Sequence, residues 1–314
     1  MRLREFRRAD AARFYALLKT EFPEEEAILG MRPEGFQAVI GRLYRTDVRL
    51  LLGILRAVHR SPFHLYVVEE DGAIAATTLL SFTPRAGFVS TVVVAPEFRR
   101  RGFARQLLDG ARRETARRGR PHVALRVLES NTPARALYDS LGYRPIDRHL
   151  FLVLEAPAPA PAAGAPGAIR PFRRSDAGSL AEIANRASPE EVRNVLPMRP
   201  RDLGGDSWAD RLFSAETAAW VVDRGAGPEA YVAATSTPTT DAAHLSTPIV
   251  GPSVDPSVAA ELLRTAVAWL SARRPARVVT TVSEASAVAH RALEEAGFHD
   301  AIPHYTLCRS SAPD

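Results

Sequence analysis

The chain has 314 residues, enough for two ordinary domains, and 46% of them are hydrophobic, which supports packed cores. It has no run of eighteen apolar residues, and its N-terminus, MRLREFRRAD, lacks the apolar stretch of a signal peptide; these features exclude a membrane span and point to a soluble cytoplasmic protein. The net charge is +5, but Lys19 is the single lysine among 41 basic residues, and the arginines are not interleaved with aromatics as a nucleic-acid surface requires.

In chain order, Arg2–Phe6 reads as a strand, and Asp10 is placed to cap a helix running to about Glu21. Residues 34–59 carry apolar positions at helical spacing, from Phe36 to Val58. His64–Glu69 and Ala73–Phe82 flank Asp71-Gly72, the pattern of a hairpin with a tight turn. A fourth strand is expected at Phe88–Val94, a long helix at 103–118, a fifth strand at Val123–Leu128 and a helix at Thr132–Leu141 stopped by Gly142. Two final strands are expected to close this half at Leu154. The result is an α+β fold, a mixed twisted sheet flanked by helices.

The stretch VVVAPEFRRRGFA (Val92–Ala104) passes from a β-branched run through Pro96 and three arginines to a helix opening at Gly102. Backbone N–H groups and arginines converge on such a turn, and both attract phosphate. Arg99-x-x-Gly102-x-Ala104, followed after 26 residues by Asn131-x-x-Ala134-x-x-Leu137-Tyr138-x-x-Leu141-Gly142-Tyr143, resembles the paired signatures of the GCN5-related N-acetyltransferase (GNAT) family. The resemblance covers residues 1–155 and implies an enzyme of the acyltransferase class that uses acetyl-CoA as co-substrate. It also implies that Arg99, Arg100, Arg101, Gly102, Phe103 and Ala104 hold the pyrophosphate. In the same way, Val92, Val93 and Val94 would offer backbone groups to the pantetheine arm, Asn131 and Ala134 would order the cofactor, and Tyr138 would be the general acid. A glycine at 102 is physically apt, because a Cβ there would hold an anion away from the amides.

The chain also repeats itself. Leu3-Arg-Glu-Phe-Arg-Arg-Ala-Asp10 returns as Ile169-Arg-Pro-Phe-Arg-Arg-Ser-Asp176, and Gly142 matches Gly297 at an offset of 155. The Pro/Ala-rich segment 156–168 separates the copies and reads as an extended linker. Two tandem GNAT domains are therefore expected, a catalytic one at 1–155 and a degenerate one at 169–314. In the second copy Arg99 becomes Val254, Gly102 becomes Ser257 beside Pro256, and Tyr138 becomes Leu293. Its expected roles are structural support, covering the substrate opening, or homodimerisation. The charge divides accordingly: residues 1–155 hold 26 basic and 18 acidic side chains, the remainder 15 and 18. The surplus sits with the phosphate turn, as an anionic cofactor would favour.

No general base stands out. The fourth strand has no glutamate, the fifth-strand position that holds one in some relatives is Arg126, and Glu129 is the nearest carboxylate in sequence. His64 and Glu69 read as half-exposed strand residues, and water on Ser90 or Thr91 is an alternative. The acidic triplet Glu24–Glu26 reads as a solvated helix start. The reading carried forward is acetyl transfer to the amine of a small molecule. A protein or peptide N-acetyltransferase with a docking second domain, and a non-catalytic acetyl-CoA-binding regulatory module, stay open. No metal site is expected, since Cys308 has no ligand-like neighbours.

Overall fold

A computed structural model describes residues 2–46, 48, 63–157, 168–204 and 214–312. Most of the expected linker, and the end of the helical run expected at 34–59, lie outside the described residues.

The first half runs β1 (Arg2–Glu5), α1 (Ala11–Glu21), α2 (Pro23–Leu29), α3 (Pro33–Leu43), β2 (Phe63–Glu70), β3 (Ala73–Phe82), β4 (Ala86–Val94), α4 (Phe103–Arg117), β5 (His122–Leu128), α5 (Thr132–Ser140) and β6 (Arg144–Glu155). The second half repeats this plan with β7 (Ile169–Pro171), α6 (Ala177–Ala187), α7 (Glu190–Val195), β8 (Glu216–Asp223), β9 (Pro228–Ser236) and β10 (Ala242–Leu245). It continues with β11 (Ile249–Val250), α8 (Pro256–Ser271), β12 (Arg277–Ser283), α9 (Ala287–Glu295) and β13 (His299–Ser310). The β2–β3 turn uses Asp71 and Gly72, both at positive φ, which matches the twist of a two-residue hairpin.

Two details of the sequence reading change. Asp10 does not cap α1 through its side chain. Its carboxylate accepts the Arg7 N–H at 2.6 Å and pairs with Arg4 at 2.7 Å, closing the short 3-10 turn before the helix. The repeat reproduces the device: Asp176 accepts the Arg173 N–H at 2.7 Å and pairs with Arg170 at 2.8 Å. His64 is buried rather than half-exposed, with Nδ1 2.6 Å from Glu5 and Nε2 2.5 Å from Arg118. Arg118, just past the end of the long helix, has a buried side chain, stacked over Phe82 and paired with Glu114.

The Arg170 hydrogen bond holds Asp176 below the usual carboxylate range, and the Arg4 bond does the same for Asp10 against the opposing effect of burial. Each folded pKa lies below the unfolded ~3.9, so these pairs stabilise fully above that value and lose their contribution as pH falls through the lower one. Asp10→Asn and Asp176→Asn are each expected to remove about 2 kcal/mol at pH 7. Melting curves at pH 7 and pH 3 check this; the variants should differ from the parent at the higher pH and converge on it at the lower.

The expected pair of closing strands is not there. β6 is one unbroken strand of twelve residues, and among the described residues thirteen strands form a single sheet, ordered β1-β2-β3-β4-β5-β13-β6-β12-β10-β9-β8-β7, with β11 on β9. The halves have exchanged their last strands. β13 lies antiparallel to β5 with His304 opposite Leu128, and β6 lies antiparallel to β12 with His149 opposite Ser283. At the repeat offset of 155 these are the same register. The exchanged strands pair with each other, His304 opposite His149, so a pseudo-twofold axis passes between two equivalent histidines. Arg144–Glu155 runs on as one strand without a turn, so it does not fold back to cover β5 itself.

Candidate active site

β4 and β5 pair in parallel only from Ala86↔His122 to Val89↔Leu125, and then they part. The β3–β4 register slips where Thr91 adopts φ +51°, a bulge that turns β4 away from β5. Thr91–Val94 therefore shows β5 an edge with no strand partner there. The opening is a cleft of about 500 Å³, walled by Phe88, Val92, Tyr138 and Phe151 and reaching α2 at Glu26 and Leu29.

In the turn that follows β4, Gly102 lies at φ +82° and ψ 4° as the residue before α4, and Arg100 is also left-handed at φ +62°. A Cβ built on Gly102 would meet nothing within 4 Å, so the space over the turn is open to a ligand. The first N–H groups of α4, including those of Phe103 and Ala104, have no intrahelical acceptor. The Phe103 ring is buried, 3% exposed, leaving its backbone as the part that can face a phosphate. The arginines are partly engaged. Arg99 is paired with Glu21 and donates from Nε to Val94 O at 3.4 Å; Arg101 is 2.6 Å from Glu70 and lies over Phe98 and Phe103.

Tyr138 reaches the cleft from α5, and Val92 lines the opposite wall. Val93 is buried, so Val92–Val94 present backbone rather than side chains to the edge. Burial pushes the Tyr138 hydroxyl up to about 12, and it makes no hydrogen bond among the described residues. Asn131 is the N-cap of α5, accepting the Ala134 N–H at 3.1 Å, and both residues line the cleft. Glu129 is occupied elsewhere: Arg148 at 2.7 Å holds its pKa down, and the Tyr305 hydroxyl donates to it at 2.8 Å. Of the acidic triplet, Glu26 faces the cleft, paired with Lys19 at 3.1 Å and accepting the Met31 N–H.

The sequence reading did not include the cleft's far floor. β6 brings His149, β12 brings Thr281 and β13 brings His304, beside Arg126 of β5, while Asp147 and Ser283 line the adjoining cavity that shares His149. Asp147 accepts from Ser283 Oγ at 2.8 Å and from the Arg148 N–H at 2.9 Å, and lies 3.2 Å from His149 Nε2. Burial, with Arg126 and His304 alongside, brings His149 down to about 4, and burial lowers His304 as well. Both are neutral at pH 7. The floor needs both halves of the chain, so local spacing could not reveal it. The repeat offset, which sets His149 on His304, was the available signal.

Residues 12–143 match the Acetyltransferase (GNAT) family. An acetyltransferase of Pectobacterium atrosepticum is 28% identical over 121 residues, covering 37% of this chain and 86% of its own length. Along 99% of the chain, the fold resembles the GCN5-related N-acetyltransferase from Sphaerobacter thermophilus (TM-score 0.66, 20% identity, 96% of that chain). It also resembles a tandem GNAT protein from the clavulanic acid biosynthesis pathway (TM-score 0.53, 18% identity), over 80% of this chain and 84% of that one. At these identities the two structures speak for the fold alone. The protein is an acyltransferase. The match to the GNAT family, whose co-substrate is acetyl-CoA, lies within the N-terminal half, and the open turn at Gly102 fits that molecule. Among the described residues, no helix is long and apolar enough to cross a membrane.

Proposed function

We propose that the chain acetylates the amine of a small molecule by direct attack in a ternary complex, using the cleft between β4 and β5. The observation that carries this reading is the cleft itself, which opens where β4 and β5 part and holds Tyr138, Asn131 and a polar floor. Acetyl-CoA supplies the thioester. In this reading Gly102, Phe103 and Ala104 bind the pyrophosphate through backbone N–H groups, with Arg99–Arg101 adding positive charge. The β4 edge at Val92–Val94 receives the pantetheine arm as a further strand would, and Asn131 and Ala134 order the start of α5 beside it. Tyr138 holds a proton for the departing sulfur.

A hydroxyl at about 12 stays protonated throughout the physiological range. A free thiol sits near ~8.5, so full transfer from such a phenol is uphill unless the same apolar wall also raises the thiol. Tyr138 therefore acts first as a hydrogen-bond donor to charge growing on sulfur. Tyr138→Phe is expected to lower kcat on the order of 100-fold while acetyl-CoA affinity is kept. Stopped-time assays of CoA release, paired with calorimetric titration, test this; unchanged turnover on an accepted amine would remove Tyr138 from the chemistry, and a parent that binds acetyl-CoA yet turns over no amine would favour the non-catalytic acetyl-CoA-binding module.

The second half, residues 169–314, is in this reading a degenerate GNAT domain after a 156–168 linker, keeping its strands and lacking the phosphate turn. Val254 and Ser257 stand at the positions of Arg99 and Gly102. Its contribution is structural: Arg277 donates to the carbonyls of Ala27 and Ile28 in α2, and Arg32 pairs with Asp241 at 2.6 Å, so it supports the wall of the opening. Since the exchange within one chain already supplies a twofold-like partner, a homodimer is not required to complete the site.

A further inference from the structure

Arg126 is the first β5 residue beyond the last β4–β5 pair, and it lines the cleft. Its neighbours Leu125 and Val127 belong to the core that includes Leu108 and Ala111 of α4, so by strand alternation Arg126 faces the opposite side, over the polar floor. It makes no hydrogen bond or ion pair among the described residues; Asp147, across the strand occupied by Thr306, is its nearest electrostatic counterpart, at longer range. The guanidinium is open to the cleft's water, yet the surrounding protein lowers its pKa. The other charged residue lining this cleft, Glu26, is already paired, and the two histidines are neutral. One cation is left uncompensated on the floor of a site that accepts a second substrate. At the offset of 155 the second half has Thr281 in its place, so the arginine belongs to the half that carries the phosphate turn and not to the shared fold.

We infer that Arg126 is a substrate-binding residue that holds a carboxylate of the acceptor, which makes the acceptor an amino carboxylate such as an amino acid and not a simple amine. This rests on the small-molecule N-acetyltransferase reading above. A carboxylate matches the planar fork of the guanidinium in two parallel hydrogen bonds, and its single charge balances the single free cation. A phosphate would bring a second negative charge toward Asp147 with nothing to meet it. Leu29, Phe88 and Phe151 give the acceptor's remaining atoms an apolar wall.

The test uses the full chain and a panel of amino acids, each with its methyl ester and its decarboxylated amine, followed by release of CoA thiol. The parent should favour the free carboxylates, and Arg126→Met should raise their KM by about 10- to 100-fold while leaving esters and amines unchanged. Arg126→Lys should retain part of the preference, since it keeps the charge and loses the fork. Equal use of esters, amines and carboxylates by the parent, or a preference that survives in Arg126→Met, would overturn the inference while leaving amine acetylation intact. A second arm titrates the CoA-bound protein with N-acetyl amino acids. Binding that Arg126→Met removes supports the carboxylate site even if no amine turns over, an outcome that would remove the N-acetyltransferase reading instead. Absence of both turnover and binding overturns the inference.

Discussion

Replacing Gly102 by valine is expected to abolish measurable acetyl-CoA binding, a loss of at least about 100-fold, while the protein stays folded. The separation of the two effects follows from the geometry. The added Cβ would meet no protein atom within 4 Å, so the first atom of the new side chain disturbs no packing. The residue does sit at φ +82°, where a β-branched side chain is strained by roughly 1–2 kcal/mol. That strain is small beside the stability of a chain of this size, but the new atoms occupy the space over the first N–H groups of α4, where a pyrophosphate would lie. Titration calorimetry against acetyl-CoA, with melting of the unliganded protein as the control, reads both quantities. A valine variant that binds acetyl-CoA like the parent would remove this turn from the cofactor site.

A chain stopped after residue 298 is expected to yield no soluble, acetyl-CoA-binding monomer. Without β13, both β5 and β6 become open edges in the middle of the sheet, each with a row of unpaired N–H and C=O groups. Leu307 and Cys308, less than a tenth exposed, are removed from the packing of Leu125 and Ala124 as well. The same reasoning gives a sharper expectation for residues 1–157 alone. The two sides of the exchange have one register, so β6 of one copy can take the place of β13 beside β5 of another, with His149 opposite His149 on a true twofold axis. That fragment should sediment as a dimer. A stable monomer of 1–157 would show that a half can complete its own sheet and that the exchange is not needed.

Much of the first half was legible because its signals are local. The Asp71-Gly72 hairpin, the apolar runs of β2 and β3 that flank it, and the arginine–glycine turn before a helix each depend on residues a few positions apart. The repeat was legible in the same way. The destination of the last strand was not. β6 and β13 are both recognisable as strands, but a strand's sequence records its two faces and not its neighbour, and here the neighbour is supplied by the other half. The polar floor was hidden for the same reason: Asp147 meets Ser283, and His149 meets His304, only after the exchange. His64 was misread because its burial comes from Glu5 on the neighbouring strand β1 and from Glu114 and Arg118 on α4 and its C-cap. Arg126 could be noticed as an arginine where some relatives have a glutamate, but that it lacks a partner is a fact of three dimensions.

The exchanged strand also bears on how the molecule is made. Arg309 in β13 donates to the carbonyl of Leu141, 168 residues earlier in the chain. At about 5–20 residues per second, a ribosome would need roughly 10–30 s to synthesise that interval. For nearly all of it the first half is present, Gly102 turn included, with one side of β5 bare. The nascent chain must either keep that edge from pairing with a neighbour on the same message or wait. Until β13 is made the chain has the Gly102 turn but lacks His304 and one wall of β5, so the cleft between β4 and β5 cannot be complete before that strand is in place.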